Sequence, residues 1–117
     1  MTSTNPVLRR TSVMLERAGS KQKAPIWTEA SFLLGGPTKN RVQVNIGRIS
    51  RLAGDGDLVF VPGKVLGTGL IDRKIVVGAF AFSSAARSKI EASGGTVLSI
   101  DEFLRKYPKG SGVKLVK

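Results

Sequence analysis

The stretch KIVVGAFAFSSAARSKIEASGGTVL, Lys74 to Leu98, decides the fold. From Ile75 to Phe82 it is apolar on both alternating faces, as a strand covered on both sides must be. Ser83 or Ser84 can cap the helix that follows. That helix turns Ala86 and Ile90 inward and sets Arg87 and Glu91 one turn apart on its outer side, spaced to pair. Gly94-Gly95 ends it, and Thr96 to Leu98 is extended again. A strand, a helix and a strand in so short a span predict a right-handed crossover between parallel neighbours. The fold class is α/β.

The pattern extends in both directions. Downstream, Ser99 and Glu102 have the spacing of a capping box, and Leu98 can staple against Phe103. Arg105 and Lys106 then fall in the last turn, and Pro108 stops the helix. Upstream, Val42, Val44 and Ile46 alternate with Gln43 and Asn45, which predicts a strand with one buried face. Ile49 to Ala53 adds a turn of helix before the turn signal Gly54-Asp55-Gly56-Asp57. Leu58 to Val61 reads as a short strand that Pro62-Gly63 should break.

Two helices precede this body. Asn5 can cap the first and Pro6 fits its first position, with Val7, Leu8, Thr11, Met14, Leu15 and Ala18 on one stripe. Arg9, Arg10, Glu16 and Arg17 lie off the stripe, and Gly19 is expected to close the helix in a left-handed conformation. After Ser20 to Lys23, Pro25 opens a second helix through Ile26, Trp27, Ala30, Leu33 and Leu34, with Trp27 a core residue. Gly35, Gly36 and Pro37 end it, and Thr38 to Arg41 form a polar link.

The charge is distributed unevenly. The chain has 117 residues, enough for one domain, and a formal net charge of +11. Arg9, Arg10, Arg17, Lys21 and Lys23 face only Glu16 in the first 24 residues, while Arg105, Lys106, Lys109, Lys114 and Lys117 meet no acid after residue 104. A nearly balanced body with two basic ends suits a polyanion. Membrane lipid is the weaker choice, because the N-terminal helix carries no aromatic anchor and no apolar run approaches the ~20 residues of a membrane span.

Chemistry has little to work with. There is no Cys and no His, which removes disulfides, the usual zinc ligands and the common nucleophile–base triads. Gly63-Lys64 lacks the hydroxyl and the earlier glycine of a phosphate loop, and Gly67-Thr68-Gly69 lacks the third glycine of a dinucleotide fingerprint. Gly54 to Asp57 lacks the closing Glu of a calcium loop. The expectation is a non-enzyme with no cofactor and no metal. Pro62-Gly63-Lys64 and Lys109-Gly110-Ser111-Gly112 instead suit close approach of backbone N–H groups and a cation to phosphate. With few aromatics, recognition should rest on phosphate and the shape of folded RNA.

Several stretches then occur in a telling order: Ala24-Pro25-Ile26-Trp27, Val44-Asn45-Ile46, Val61-Pro62-Gly63-Lys64-Val65-Leu66-Gly67, Ala79-Phe80-Ala81-Phe82-Ser83, Lys89-Ile90 with Gly94-Gly95, and Pro108-Lys109-Gly110-Ser111-Gly112-Val113. Together they resemble the archaeal large-subunit ribosomal protein eighteen-e family, relatives of bacterial large-subunit protein fifteen. The resemblance implies a structural constituent of the large ribosomal subunit in the cytoplasm, built as an irregular superhelix of short strands and helices. It implies large-subunit ribosomal RNA and neighbouring ribosomal proteins as partners, with no membrane and no homo-oligomer. The rival is a non-ribosomal RNA-binding or RNA-chaperone module. Leu70 departs from the polar residue expected there; if exposed, it marks a protein neighbour rather than RNA.

The expected organisation is an N-terminal helical basic extension (1–40), a compact α/β body (41–107) and a basic tail (108–117). The tail is expected to be mobile until RNA orders it, with an edge strand through Val113 and Leu115 as the alternative. The candidates for phosphate contact are Arg9, Arg10, Arg17, Lys21, Lys23, Lys39, Arg41, Arg48, Arg51, Lys64, Lys109, Lys114 and Lys117.

Overall fold

The computed structural model describes residues 6–35 and 42–117. The Asn5 cap, the Gly36-Pro37 stop, the Thr38 to Arg41 link and the candidates Lys39 and Arg41 lie outside the described residues. Helices α1 (Pro6–Gln22) and α2 (Pro25–Leu34) lead into β1 (Val42–Asn45), α3 (Ile46–Leu52), β2 (Leu58–Leu66) and β3 (Val76–Phe82). Then come α4 (Ser84–Ala92), β4 (Thr96–Ser99), α5 (Ile100–Lys106) and β5 (Val113–Leu115). Among the described residues every strand pairing is parallel. The irregular superhelix takes the form of a parallel sheet with helices on both sides, as α/β chemistry requires: each sheet face needs an apolar cover.

Strand β2 organises the sheet. One edge pairs with β3, which in turn pairs with β4. The other edge is shared: β5 lies along Leu58 to Phe60, and β1 lies along Gly63 to Leu66. Alternation sends Val59, Val61, Val65, Val77 and Ala79 to a core covered by α3 and α4 through Ile46, Ile49, Ala86 and Ile90. Phe60 points the other way, to Trp27, Leu15, Leu34, Ile100 and Phe103 beneath α1, α2 and α5. Trp27 is fully buried, with Phe60 and Phe103 edge-on at centroid distances of 5.0 and 6.0 Å. Such contacts add to the free energy of burial.

The terminal helix starts as its sequence dictates. The Ser99 hydroxyl accepts the Glu102 N–H at 3.2 Å, and the Glu102 carboxylate accepts the Ser99 N–H at 2.9 Å. Ser83 rather than Ser84 caps α4, accepting the Ala86 N–H at 3.1 Å.

Several expectations are corrected. Gly19 does not end α1; it is buried within the helix, where a Cβ would stand 2.4 Å from Thr28 Oγ1 and 2.9 Å from Thr28 N. Glycine is needed there for the close approach of α2. The left-handed residue that closes α1 is Lys23, at φ 53°. Around it the Ala24 N–H donates to the Gly19 carbonyl and the Lys23 N–H to the Ser20 carbonyl, which satisfies two terminal acceptors of the helix. Val7 is 57% exposed rather than packed, because the buried stripe is centred on Leu8, Leu15 and Gly19. Ile46 begins α3 instead of ending β1. Arg87 lies 5.7 Å from the Phe82 ring centroid, and among the described residues no ion pair joins it to Glu91.

Pro62-Gly63 does not break β2 either. The strand runs through both residues with a one-residue bulge against β3, so the missing proline N–H falls where the ladder is already interrupted. Gly63 is there because a Cβ would stand 2.1 Å from the Val42 carbonyl oxygen of β1. The pair is a packing device in the central strand.

The tail is the edge strand, not a mobile arm. Val113 to Leu115 pairs with β2, the Val116 N–H donates to the Phe60 carbonyl at 3.0 Å, and Val116 is buried. Trp27 Nε1 donates to the Pro108 carbonyl at 2.7 Å and ties the tail's start to the core. Amide exchange on the free protein is expected to show strong protection at Lys114 and Val116, the residues of the strand whose N–H groups face β2; exchange at random-coil rates there would return the tail to the arm reading.

Candidate nucleic-acid interface

The sequence of α1 sets its outward face. Arg10, Arg17 and Lys21 are spaced by seven and four residues, which puts them on one line of a helix. Leu8, Leu15 and Gly19 are buried on the opposite side. Because α1 runs through Gln22, Lys21 continues the line within regular helix. Arg9 flanks it, and Lys23 sits on the left-handed residue just beyond its end; all five cations are exposed. A shallow groove of about 590 Å³ runs beside them, lined by Pro6, Arg9, Arg10, Val13, Met14 and Arg17. Among the described residues none of these cations is in an ion pair, and Glu16 is the one acid in the helix.

The base of this face is rigid. Ser12 Oγ donates to the Ser31 carbonyl at 3.0 Å while Ser31 Oγ donates to the Ser12 carbonyl at 2.7 Å. With the Gly19 contact this locks α1 on α2. A fixed row of guanidinium and ammonium groups can bind phosphates at set spacing with little loss of backbone entropy.

The other candidates are dispersed. Lys64 is exposed on β2 at a second, smaller hollow of about 180 Å³ that Leu8 of α1 also lines, so it borders the α1 layer. Arg48 and Arg51 are exposed on α3, on the other side of the sheet. Lys109 is exposed on the turn before β5. Lys114 and Lys117 serve the fold: Lys114 Nζ lies 2.9 Å from Asp57 Oδ2 and donates to the Leu52 carbonyl, and Lys117 Nζ lies 2.6 Å from Glu29 Oε2. These roles are not legible in the sequence, because each acid partner is far away in the chain.

Phe32, which the sequence reading does not single out, is 80% exposed on α2. The signal was present: Phe32 falls outside the helical stripe made by Trp27, Ala30 and Leu34. Leu70 is 81% exposed.

Two carboxylates titrate below the usual range. The Gly54 N–H, then Lys114, hold Asp57 down, and Ser99 holds Glu102 down through its N–H and hydroxyl. A carboxylate depressed in the folded state adds stability above its ordinary pKa, and that contribution is lost as pH falls through the lowered value. Protection factors at Lys114 and Val116 should therefore decline below about pH 4, and Asp57→Asn should lower them at neutral pH and weaken that dependence. An unchanged profile in the variant would show that the Lys114 tie does not hold β5.

Residues 38–98 match the family described as ribosomal proteins 50S-L15 and 50S-L18e together with their 60S counterpart. The chain belongs to this family. It is 42% identical over 114 residues to the large ribosomal subunit protein eL18 of Methanococcus maripaludis, covering 97% of this chain and 95% of that one. It is 42% identical to the eL18 protein of Pyrobaculum aerophilum, covering 97% of this chain and 93% of the relative. With that of Archaeoglobus fulgidus it shares 40% identity over 99% of both chains. The family match spans β1 to β4, the sheet with α3 and α4, and the similarity to the archaeal relatives extends it across α1 and the C-terminal strand. Among the described residues no helix is long and apolar enough to cross a membrane.

Proposed function

We propose that the chain is a structural, non-catalytic constituent of the large ribosomal subunit in the cytoplasm, holding large-subunit ribosomal RNA on the outer face of α1. The observation that carries this reading is the line Arg10, Arg17 and Lys21, exposed and outside any ion pair among the described residues, opposite a helix face buried in the core. The chain's relatives are named large ribosomal subunit proteins. Arg9, Lys23 and Lys64 border that face. Arg48 and Arg51 form a second contact across the sheet, Lys109 extends the footprint from the turn before β5, and Lys39 and Arg41 add to it. Lys114 and Lys117 contact phosphate only from within their ion pairs.

In this reading residues 1–40 are the RNA-facing helical extension, 41–107 the body that positions it, and 108–117 a basic strap closing the sheet edge. One copy binds per subunit, beside neighbouring ribosomal proteins. Sedimentation tests the assignment. Tagged chain expressed in an archaeal host should remain with the large subunit after a high-salt wash. Release into the free fraction under conditions that leave other core proteins bound would favour a non-ribosomal RNA-binding module.

A further inference from the structure

The link between β2 and β3 turns outward at Leu70. A single exposed leucine is ordinary, but this one sits on a fastened loop. Lys89 Nζ donates to the carbonyls of Gly67 at 2.8 Å and Gly69 at 3.1 Å. The Gly47 N–H donates to the Thr68 carbonyl at 3.1 Å, and Gly69, at φ 105°, lies so close to Gly47 that a Cβ would stand 2.7 Å from its nitrogen. At the other end Arg73 Nη1 donates to the Ser50 and Ala53 carbonyls at 2.8 and 2.7 Å. The tip is held in place before any partner arrives, which lowers the entropic cost of docking.

The charges at the tip do not suit phosphate. Lys89 Nζ and Arg73 Nη1 direct donors at backbone carbonyls; Arg73 Nε lies 3.8 Å from Asp72 Oδ1, and the Asp72 side chain is still 87% exposed. Beside it is a depression of about 380 Å³ lined by Leu70, Ile71, Asp72, Lys89, Ala92 and Ser93. An apolar knob next to a carboxylate that its one long contact with Arg73 leaves open to solvent is complementary to a protein surface with an apolar pocket and a cationic rim.

We infer that the Leu70–Asp72 tip docks on a basic protein neighbour, with Leu70 in an apolar pocket and Asp72 against a Lys or Arg at its edge. The inference rests on the ribosomal reading, since the particle supplies the neighbour, but it uses a surface remote from α1 in sequence and chemistry. The test places a photoreactive benzoylphenylalanine at Leu70 in the full-length chain and irradiates purified large subunits that contain it. The expected product is a cross-link to one polypeptide, mapped to a peptide containing Lys or Arg. Adding Asp72→Lys should cut its yield at least tenfold, because like charges across an interface are strongly disfavoured, while sedimentation stays unchanged. A cross-link to RNA, or none from a particle-bound chain, overturns the inference and leaves the ribosomal reading intact. A chain that never enters the particle overturns both.

Discussion

Replacing Arg10, Arg17 and Lys21 together by Gln is expected to flatten the salt dependence of RNA binding without unfolding the protein. Each phosphate contact releases condensed counterions and contributes about 0.7–0.9 to the slope of log affinity against log salt. Losing three contacts should make the slope shallower by about 2–3. Between 50 and 200 mM salt, the variant should then lose on the order of 30-fold less affinity than the parent. All three side chains are exposed and outside any ion pair among the described residues, so each substitution should change stability by no more than about 0.5 kcal/mol. Filter binding across a salt series, paired with a melting curve, reads both quantities. An unchanged slope would mean that α1 does not face RNA.

Trp27→Ala should have the largest effect on stability. The ring is fully buried among Phe60 of β2 and Phe103 of α5, and its Nε1 holds the Pro108 carbonyl. Truncation leaves a cavity that the surrounding sheet and helices can fill only partly, at a cost of about 3–5 kcal/mol. In a domain of this size that corresponds to a fall of roughly 10–20 °C in melting temperature. The loss of the Pro108 anchor adds a local signature. Gly110 packs on Ile26 and Trp27, and β5 follows directly, so protection at Lys114 and Val116 should fall by more than the global destabilisation explains. Trp27→Phe should recover most of the burial but not the hydrogen bond, which separates the two contributions. A Trp27→Ala protein that melts within a few degrees of the parent would show that the aromatic cluster does not hold α2 on the sheet.

The parts of the fold legible in the sequence are those set by local chemistry. Ser99 and Glu102 meet within one helical turn, so the capping box can be read directly, and the apolar run to Phe82 needs cover on both faces wherever it lies. What escaped reading depends on distant partners. Gly19 looks like a helix stop until Thr28 is brought against it, and Pro62-Gly63 looks like a break until β1 lies alongside. The tail looks like an arm because its lysines dominate its composition. Only the fold reveals that Asp57 and Glu29 neutralise two of them and that β2 has a free half-edge for Val113 to Leu115. The interface followed the same rule. The α1 line was legible from helical spacing, whereas the internal use of Lys114 and Lys117 was not.

Hydroxyl-radical footprinting of large-subunit ribosomal RNA reads the α1 contact itself. The RNA is probed alone, with the parent chain, and with the Arg10→Gln, Arg17→Gln, Lys21→Gln chain. The parent should protect a discrete set of backbone positions, and the variant should lose a contiguous subset of them, the part covered by α1. Protections identical for the two chains, or none with the parent, would show that α1 does not hold this RNA.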